Sequence, residues 1–321
     1  MANTESRLAN TESSITLSKN ISYKFLKYFR PIWYFHLKPN EEGNNVWVEY
    51  EQLTPEEKKL IHYDENYSSS IISNWDASYQ ALMQGIVKQK KNNNQIDDVK
   101  LFPNDIYRFT RKYHKKIWLY STFIQRLFSL FNPIDELRGY WQTRKVKKFE
   151  LFQSHYDYYE YPDFNSSLIH SEPLISIIIP TYNRYEQLNN VLIDLKEQTY
   201  TNFEVIIIDQ SNPFQGSYYN ELNEKHHVIR QKIPALWKAR NRGIEYSQTE
   251  YLLFLDDDSR IGPNWISEHL KCMDYFHADI SSGVSISIIG AKVPENYSFF
   301  RWSDQLDTGN AFIKRKVFEK C

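Results

Sequence analysis

Three consecutive aspartates, Asp256, Asp257 and Asp258, have the residue type and spacing to bind a cation together with a phosphate-bearing ligand. They directly follow residues 251–255, a short run of bulky apolar residues that is typical of a buried strand. Adjacent carboxylates repel one another unless a positive charge lies nearby, and hard oxygen ligands suit Mg²⁺ or Mn²⁺. Taken alone, such a triplet is more often a solvated acidic turn, so a metal site needs support from other parts of the chain.

Two further apolar segments predict the elements that would position these aspartates. Residues 174–179 form a second strand-like run, which ends at a proline and is followed by the polar turn at residues 181–184. Apolar residues at helical spacing between 188 and 195 predict a helix, and residues 203–208 predict a third strand that leads into Asp209. Strand, helix and strand in this order form a βαβ unit, and ligands bind at the carboxyl ends of its parallel strands. Asp209 and the triplet are both expected at that edge.

Four short motifs in this region together resemble the family 2 glycosyltransferases of the GT-A fold. They are IIPTYNR at residues 178–184, VIIIDQS at 205–211, ARNRGI at 239–244 and FLDDD at 254–258. Each motif is weak alone, but their order and spacing are specific, and the resemblance extends from Leu174 to about Phe318. It implies an α/β, GT-A fold, with a Rossmann-like, mostly parallel sheet and flanking helices.

The resemblance also implies which residues hold a nucleotide-sugar donor. The turn after the first strand would cradle the base, with Tyr182 stacked on a uracil-like ring and Asp209 accepting a hydrogen bond from the base. Arg240 would face the pyrophosphate, although a solvated arginine on a surface helix explains it equally well. The donor-binding residues implied in this way are Pro180, Thr181, Tyr182, Asn183, Asp209, Arg240, Asp256 and Asp257.

The outer aspartates of the triplet correspond to the family's D-x-D motif. Asp258 is the better candidate for direct contact with Mg²⁺ or Mn²⁺, and Asp256 is the second candidate ligand. Such a metal would bridge the two donor phosphates and stabilise the charge that develops on the leaving diphosphate. The implied reaction is an inverting transfer from a nucleotide-diphosphate donor, most simply a UDP-sugar, to a glycan or lipid-linked acceptor.

The catalytic base is the point at which the sequence departs from the family. The base is expected in an acidic motif beyond the strand at residues 308–314, but the sequence stops at Cys321. We therefore expect the base beyond Cys321, with the catalytic domain incomplete at its carboxyl end. Asp304 and Asp307 are the nearest remaining carboxylates, and we interpret them as loop acids or acceptor contacts.

Composition excludes several other classes of protein. Of the nine glycines, the closest two are Gly283 and Gly290, so no dinucleotide-binding or P-loop glycine motif exists. The formal net charge of −1 argues against a general nucleic-acid partner. Two alternatives stay open: a non-catalytic nucleotide-sugar-binding or scaffold protein, and a nucleotidyltransferase. The latter is expected to have a glycine-rich, basic loop after its first strand, where this chain has residues 181–184 without glycine.

The first half of the chain has no motif that suggests a family. We predict a disordered tail over residues 1–20, a mainly helical region over 21–150, a linker over 151–172 and the GT-A domain over 173–321. Apolar residues every three or four positions predict one long helix that begins near Asp105 and ends at Asn132-Pro133.

This predicted helix lies in a basic segment. Residues 105–150 contain 11 Lys and Arg against 4 Asp and Glu, a net charge of +7. A basic amphipathic helix over residues 105–131 could contact an anionic membrane surface, or its apolar stripe could pack against a neighbouring element. The polar start of the sequence and the absence of a long apolar run predict a cytoplasmic location, with this contact at the inner face of the membrane.

Overall fold

Helices are the longest elements among the described residues of the N-terminal part of the chain, as its sequence predicts. In the computed structural model these helices are α1 (Pro55–Leu60), α2 (Ser70–Met83), α3 (Pro103–Tyr113), α4 (Lys116–Phe128) and α5 (Pro133–Gln142). Two antiparallel pairs of short strands accompany them, β1 (Ile21–Ser22) with β2 (His36–Leu37) and β3 (Asn44–Asn45) with β4 (Lys90–Lys91).

The structure describes residues 21–22, 24–29, 36–37, 44–45, 47–88, 90–91, 100–287, 289–303 and 305–320. The predicted tail over residues 1–20, the loop acid Asp304 and Cys321 lie outside these residues. None of the helices in the described ranges is long and apolar enough to cross a membrane.

The single long helix predicted from Asp105 to Phe131 is wrong, because α3 and α4 are separate helices. His114 and Lys115 between them have extended backbone, with ψ angles of 161° and 151°. The His114 ring stacks on Phe29, with 4.0 Å between the ring centroids, and this contact holds the residue outside either helix. The apolar periodicity continues across the break, so the sequence pattern gives no sign of it.

The C-terminal part of the chain contains a six-stranded sheet with helices on both faces. Its strands are β5 (Ile175–Thr181), β6 (Phe203–Asp209), β7 (His226–Arg230), β8 (Tyr251–Leu255), β9 (Ile280–Ser282) and β10 (Asn310–Lys314). Its helices are α6 (Ser167–His170), α7 (Tyr185–Lys196), α8 (Leu236–Tyr246) and α9 (Trp265–Tyr275).

The strand order in this sheet is β7-β6-β5-β8-β10-β9. Strands β7, β6, β5 and β8 are parallel, whereas β10 is antiparallel to both β8 and β9. The carboxyl ends of β5, β6 and β8 therefore lie at the same edge as the amino end of β10. The chain continues from β5 to β6 on one side and returns to β8 on the other, and a crevice for ligands forms at such a switch in strand order.

Alternate side chains of the central strand β5 pack into two separate cores. Ile177 and Ile179 lie in the core that α7 and α9 cover, and Ile178 lies in the core on the face of α8. All seven residues of β5 are buried, which explains why its sequence is almost continuously apolar. Gly243 lets α8 approach β5 closely, since a Cβ atom there would lie 2.4 Å from Ile178 Cγ2.

The chain divides into two compact units, and the boundary lies between His155 and Tyr156. This boundary falls within residues 151–172, the segment predicted to be a linker. Part of that segment is tied to the second unit, since Asp274 of α9 accepts hydrogen bonds from the Ser166 hydroxyl at 2.7 Å and from the Leu168 backbone N–H at 3.0 Å.

Candidate active site

The acidic triplet begins immediately after β8, at the carboxyl edge of the sheet. Asp257 is buried, and its carboxylate accepts a hydrogen bond of 2.7 Å from the hydroxyl of Thr181 at the end of β5. Arg184 Nη1 lies 3.2 Å from Asp257 and 2.5 Å from Asp258, whose side chain is half exposed. Asp257 thus anchors the triplet to β5, and Asp258 is accessible to a ligand.

Burial and pairing act in opposite directions on these groups. Desolvation raises the pKa of Asp257, although the Thr181 hydroxyl and the Arg184 guanidinium each lower it. The nearby carboxylates of Asp257 and Asp258 raise the pKa of Arg184. Arg184 is therefore a positive charge beside the triplet. It supplies the nearby charge that offsets the repulsion between the three adjacent carboxylates.

A second arginine pairs with the first aspartate of the triplet. Arg240 Nη2 donates a hydrogen bond of 2.7 Å to Asp256, and the Arg240 side chain is only 16% exposed. The structure therefore places Arg240 beside the triplet rather than on an exposed helix surface. It lies in the second turn of α8, which begins at Leu236. Gly309 makes room for this pair, because a Cβ atom there would lie 2.2 Å from Asp256 Oδ2.

Asp209 ends β6 and lies opposite Thr181 in the register of the parallel strands. It is fully buried, and its carboxylate accepts three hydrogen bonds. The donors are the Ser211 backbone N–H at 2.7 Å and the hydroxyls of Tyr185 and Tyr219, each at 2.8 Å. Burial raises the pKa of both tyrosines, with Asp209 adding to the effect, so both hydroxyls stay protonated as donors.

Sequence reasoning missed the two tyrosines that donate to Asp209. Tyr185 directly follows the motif at residues 178–184, and that adjacency is the only signal that could have identified it. Tyr219 ends a short 3₁₀ helix, Gly216–Tyr219, in an irregular connection where no apolar periodicity exists. Its contact with Asp209 depends on how that connection folds back over the strand end.

The turn after β5 is held by its own side chains. Asn183 has a φ of 57°, a left-handed conformation that asparagine tolerates. Its backbone N–H donates to the Ser211 hydroxyl at 2.8 Å, and its side-chain oxygen accepts from the Asn212 backbone N–H at 2.9 Å. Tyr182, in the same turn, is 46% exposed, so its ring is accessible to a ligand.

Pro180 does not end the strand as the sequence suggests, because β5 continues to Thr181. Beyond Ile178 the strand pairs with β6 only, so the missing N–H of proline falls where β5 has a single neighbour. The Pro180 side chain is buried within the strand. It would therefore contribute to the base cradle by shaping the turn that follows, not by direct contact with the base.

The start of β10 contributes a polar cluster at the same edge. Asn310 Oδ1 accepts a hydrogen bond of 2.9 Å from the Trp265 indole and lies 3.0 Å from His269 Nε2. Burial lowers the pKa of His269 to about 4, so this imidazole is neutral at physiological pH. Asp307 accepts hydrogen bonds from the Gly309 backbone N–H at 3.0 Å and the Ser285 hydroxyl at 2.5 Å, which tie it into the loop before β10.

The donor atoms at the triplet suit a cation only in combination with ligand oxygens. Within the described ranges, no three His, Cys, Asp or Glu side chains converge to form a metal site. Asp256 and Asp258 supply two carboxylates, and Mg²⁺ and Mn²⁺ commonly bind one or two carboxylates plus substrate phosphates. The two carboxylates would therefore supply some of the ligands of such a metal site, and the oxygens of a diphosphate would supply others.

The strand order of its sheet makes the second unit a doubly wound α/β domain. Such domains bind ligands at the carboxyl edge of the sheet, and in this unit that edge is charged. Residues 176–320 match the family described as Glycosyl transferase family 2. This part of the chain is a family 2 glycosyltransferase domain with the GT-A, mostly parallel sheet that its motifs imply. The family match also favours a glycosyltransferase over a nucleotidyltransferase.

Several curated proteins and solved structures are similar to this region. The glycosyltransferase GlyA of Streptococcus pneumoniae is 31% identical over 113 residues, which are 34% of this chain and 16% of GlyA. The poly(ribitol-phosphate) beta-N-acetylglucosaminyltransferase TarS of Staphylococcus aureus is 27% identical over 128 residues, or 38% of this chain and 22% of TarS.

A crystal structure of S. aureus TarS 1–349 in complex with UDP-GlcNAc has a TM-score of 0.37 at 22% sequence identity, with 46% of each chain covered. The chain spans less than half the length of the curated relatives it matches.

Proposed function

We propose that this protein is an enzyme that transfers a sugar from a nucleoside diphosphate donor to a hydroxyl acceptor, with inversion at the anomeric carbon and with a divalent cation. The observation that carries the proposal is the pairing of Asp256 and Asp258 with Arg240 and Arg184 at the switch point of the sheet. Two acids and two arginines at one edge match the needs of a diphosphate that arrives with a metal ion.

Each charged pair has a distinct task in donor binding. Asp256 and Asp258 would hold Mg²⁺ or Mn²⁺, which stabilises negative charge on the leaving diphosphate when it is bound. Arg184 and Arg240 are then released from the carboxylates and turn toward the phosphate oxygens, which accept their hydrogen bonds. Asp257 stays in place, because its bond to Thr181 and its burial fix it against β5.

Tyr182 and Asp209 serve the base of the nucleotide. The exposed ring of Tyr182 offers a flat apolar face on which a base can stack. Asp209 accepts the ring N–H of the base, and this requires a tyrosine hydroxyl to move aside, since those of Tyr185 and Tyr219 both donate to Asp209 Oδ2. A carboxylate can accept the ring N–H of uracil or that of guanine, and of the two we propose a UDP-sugar as the donor.

The acceptor is proposed to be a glycan or lipid-linked glycan whose hydroxyl attacks the anomeric carbon opposite the leaving diphosphate. A relative named for transfer to poly(ribitol-phosphate) supports an acceptor of this class. The proton of the attacking hydroxyl passes to a carboxylate base. Asp307 is a poor candidate for that base because both of its carboxylate oxygens are bonded within the loop.

Calorimetry with UDP and with GDP, each with and without Mn²⁺, tests the donor site. We expect tight UDP binding only with Mn²⁺, and a loss of about tenfold or more in the Asp258→Asn variant. Asp279→Asn is the matched control, because Asp279 is also a surface carboxylate paired with cations, Lys314 and Lys316, away from the triplet. UDP binding that survives chelation unchanged would remove the metal from the proposal, and stronger binding of GDP would change the donor.

A further inference from the structure

The outer surface of α4 and α5 is apolar although it faces solvent. Eight large apolar side chains, each between 51% and 93% exposed, form this surface, which we call the apolar hairpin face. They are Ile117, Tyr120, Ile124, Phe128, Leu130, Ile134, Leu137 and Trp141. Their spacing of three or four residues within each helix places them on one side, and the most exposed of them lie at the turn between the helices. An apolar area of this extent on a protein surface marks an interaction site.

Buried polar groups fix the orientation of both helices. Arg126 of α4 and Glu136 of α5 are both buried and form an ion pair of 2.7 Å between the helices. The Tyr107 hydroxyl donates to the same Glu136 carboxylate at 2.5 Å. Gly139 allows α5 to approach the start of α3, because a Cβ atom there would lie 2.7 Å from Pro103 Cβ. Rotating either helix to bury its apolar side would expose or separate the ion pair, which is strongly unfavourable.

Both helices therefore bury polar residues and carry large apolar ones outward, and α4 buries Leu119 in addition. Thr122 and Arg126 face the interior of the unit, whereas Ile124 and Phe128 face outward. Ordinary surface helices bury their apolar stripe in the core of their own domain. The outward apolar side chains of this hairpin do not pack in the core of their own unit. The buried ion pair between the two helices fixes this orientation, so the arrangement is specified by the sequence.

Charge indicates what covers the apolar hairpin face. The exposed residues that flank it are mostly basic: Lys115, Lys116, Arg138, Arg144, Lys145, Lys147 and Lys148. The exposed acids among residues 115–150 are only Asp135 and Glu150, so a second copy of the chain on this face would bring two positive surfaces together. An anionic lipid surface complements both properties, because it accepts apolar side chains below its headgroups and attracts lysine and arginine at them.

We propose that the α4–α5 hairpin docks the protein on an anionic bilayer, with the apolar hairpin face inserted at the interface. This proposal goes beyond the sugar-transfer function and does not depend on it. It also relocates the membrane contact that the sequence predicts over residues 105–131. Ile106 and Phe109 in the first half of that stripe are buried, so the contact surface runs instead over residues 117–141.

Co-sedimentation of the full chain with vesicles tests the proposal. Vesicles of phosphatidylcholine with phosphatidylglycerol should bind the protein, and vesicles of phosphatidylcholine alone should bind it far less. The double variant Ile124→Ser and Phe128→Ser should lower the partition coefficient about tenfold or more, because it removes two inserted side chains. Lys116→Gln should lower it about fivefold, an effect that added salt should erase.

Ile289→Ser is the matched control, because Ile289 is 95% exposed but lies in the other unit. It should bind vesicles like the original chain. Circular dichroism should give the same unfolding temperature for all variants, since each replaced side chain is solvent-exposed. The proposal is overturned if the original chain ignores anionic vesicles, or if the double variant binds them equally well. It is also overturned if the chain dimerises without lipid and the double variant is monomeric, because the face would then be an interface between copies.

Discussion

At the scale of single residues, the site is charged but internally neutralised. Arg184 spans Asp257 and Asp258, Arg240 holds Asp256, and two tyrosines and a backbone N–H satisfy Asp209. These pairs give buried or crowded carboxylates hydrogen-bond partners without a ligand. Each of them must also rearrange before the same group can contact a diphosphate, a metal or a base.

Arg184→Gln should have opposite effects on two ligands. Removing the guanidinium takes away a cation that competes at Asp257 and Asp258, so Mn²⁺ alone should bind more tightly. UDP in the presence of Mn²⁺ should bind about tenfold more weakly, because a charge-assisted hydrogen bond to the diphosphate is lost. Electron paramagnetic resonance of free Mn²⁺ measures the first effect, and calorimetry measures the second.

Arg260→Gln provides the comparison, since Arg260 is a half-exposed arginine with two bonds of 2.7 Å to Asp194, which lies outside the triplet. It should change neither affinity. If Arg184→Gln weakens both ligands together, the arginine acts as a scaffold for the triplet rather than as a competitor for the metal.

Asp209→Asn should weaken UDP binding by about 1.5–3 kcal/mol, the value of a hydrogen bond to a charged group. Tyr219→Phe should not weaken it, because this variant removes one of the two tyrosine hydroxyls that donate to Asp209 Oδ2 in the absence of a base. Calorimetry of the two variants side by side, with thermal unfolding to confirm that both are folded, separates the two roles. Equal affinity of Asp209→Asn and the original chain would exclude Asp209 from the base pocket.

At the scale of elements, the sequence predicts the sheet well and the irregular connections poorly. The strand predicted over residues 251–255 has the same two ends in the structure. The strand predicted over residues 203–208 is one residue longer in the structure and ends at Asp209. Such strands are buried on both faces, so their apolar runs are unambiguous. The break at His114 and the fold of the connection that carries Tyr219 depend on tertiary contacts, which leave no periodic signal in the sequence.

Close approach between elements also positions the site, and Gly243 is the clearest case. Gly243→Ala should destabilise the protein by about 1 kcal/mol or more. Overpacking against Ile178 costs about 1–3 kcal/mol, which outweighs the gain of about 1 kcal/mol that alanine brings inside a helix. A shift of α8 away from β5 should also displace Arg240 and weaken UDP binding. Urea unfolding and calorimetry measure the two effects.

Gly262→Ala is the control, because no atom lies within 4 Å of the position that its Cβ would take. It should leave both stability and UDP affinity within experimental error of the original chain. A Gly243→Ala variant that behaves in the same way would show that α8 has room to spare above β5.

At the scale of the whole molecule, two units with different kinds of interior share one chain. The second unit has apolar cores on both faces of its sheet. The first unit buries a network of charges, in which Lys112, 5% exposed, contacts both Asp64, at 3.3 Å, and Asp76. The hydroxyls of Tyr67 and Tyr113 donate to the same Asp76 carboxylate, each at 2.8 Å. The stability of the first unit therefore depends on a charge balance that the donor site does not share.

Lys112→Met should destabilise the first unit by about 3–5 kcal/mol, because it leaves Asp76 buried without the Lys112 ammonium, whereas Asp64 keeps its bonds to Arg108. Calorimetric unfolding of the original chain should show two transitions, of which only one rises when UDP and Mn²⁺ are added. The variant should lower the other transition and leave the ligand-sensitive one, and the UDP affinity, unchanged. A loss of UDP binding in Lys112→Met, or a single transition that shifts with both the variant and the ligand, would instead show that the two units fold and bind as one.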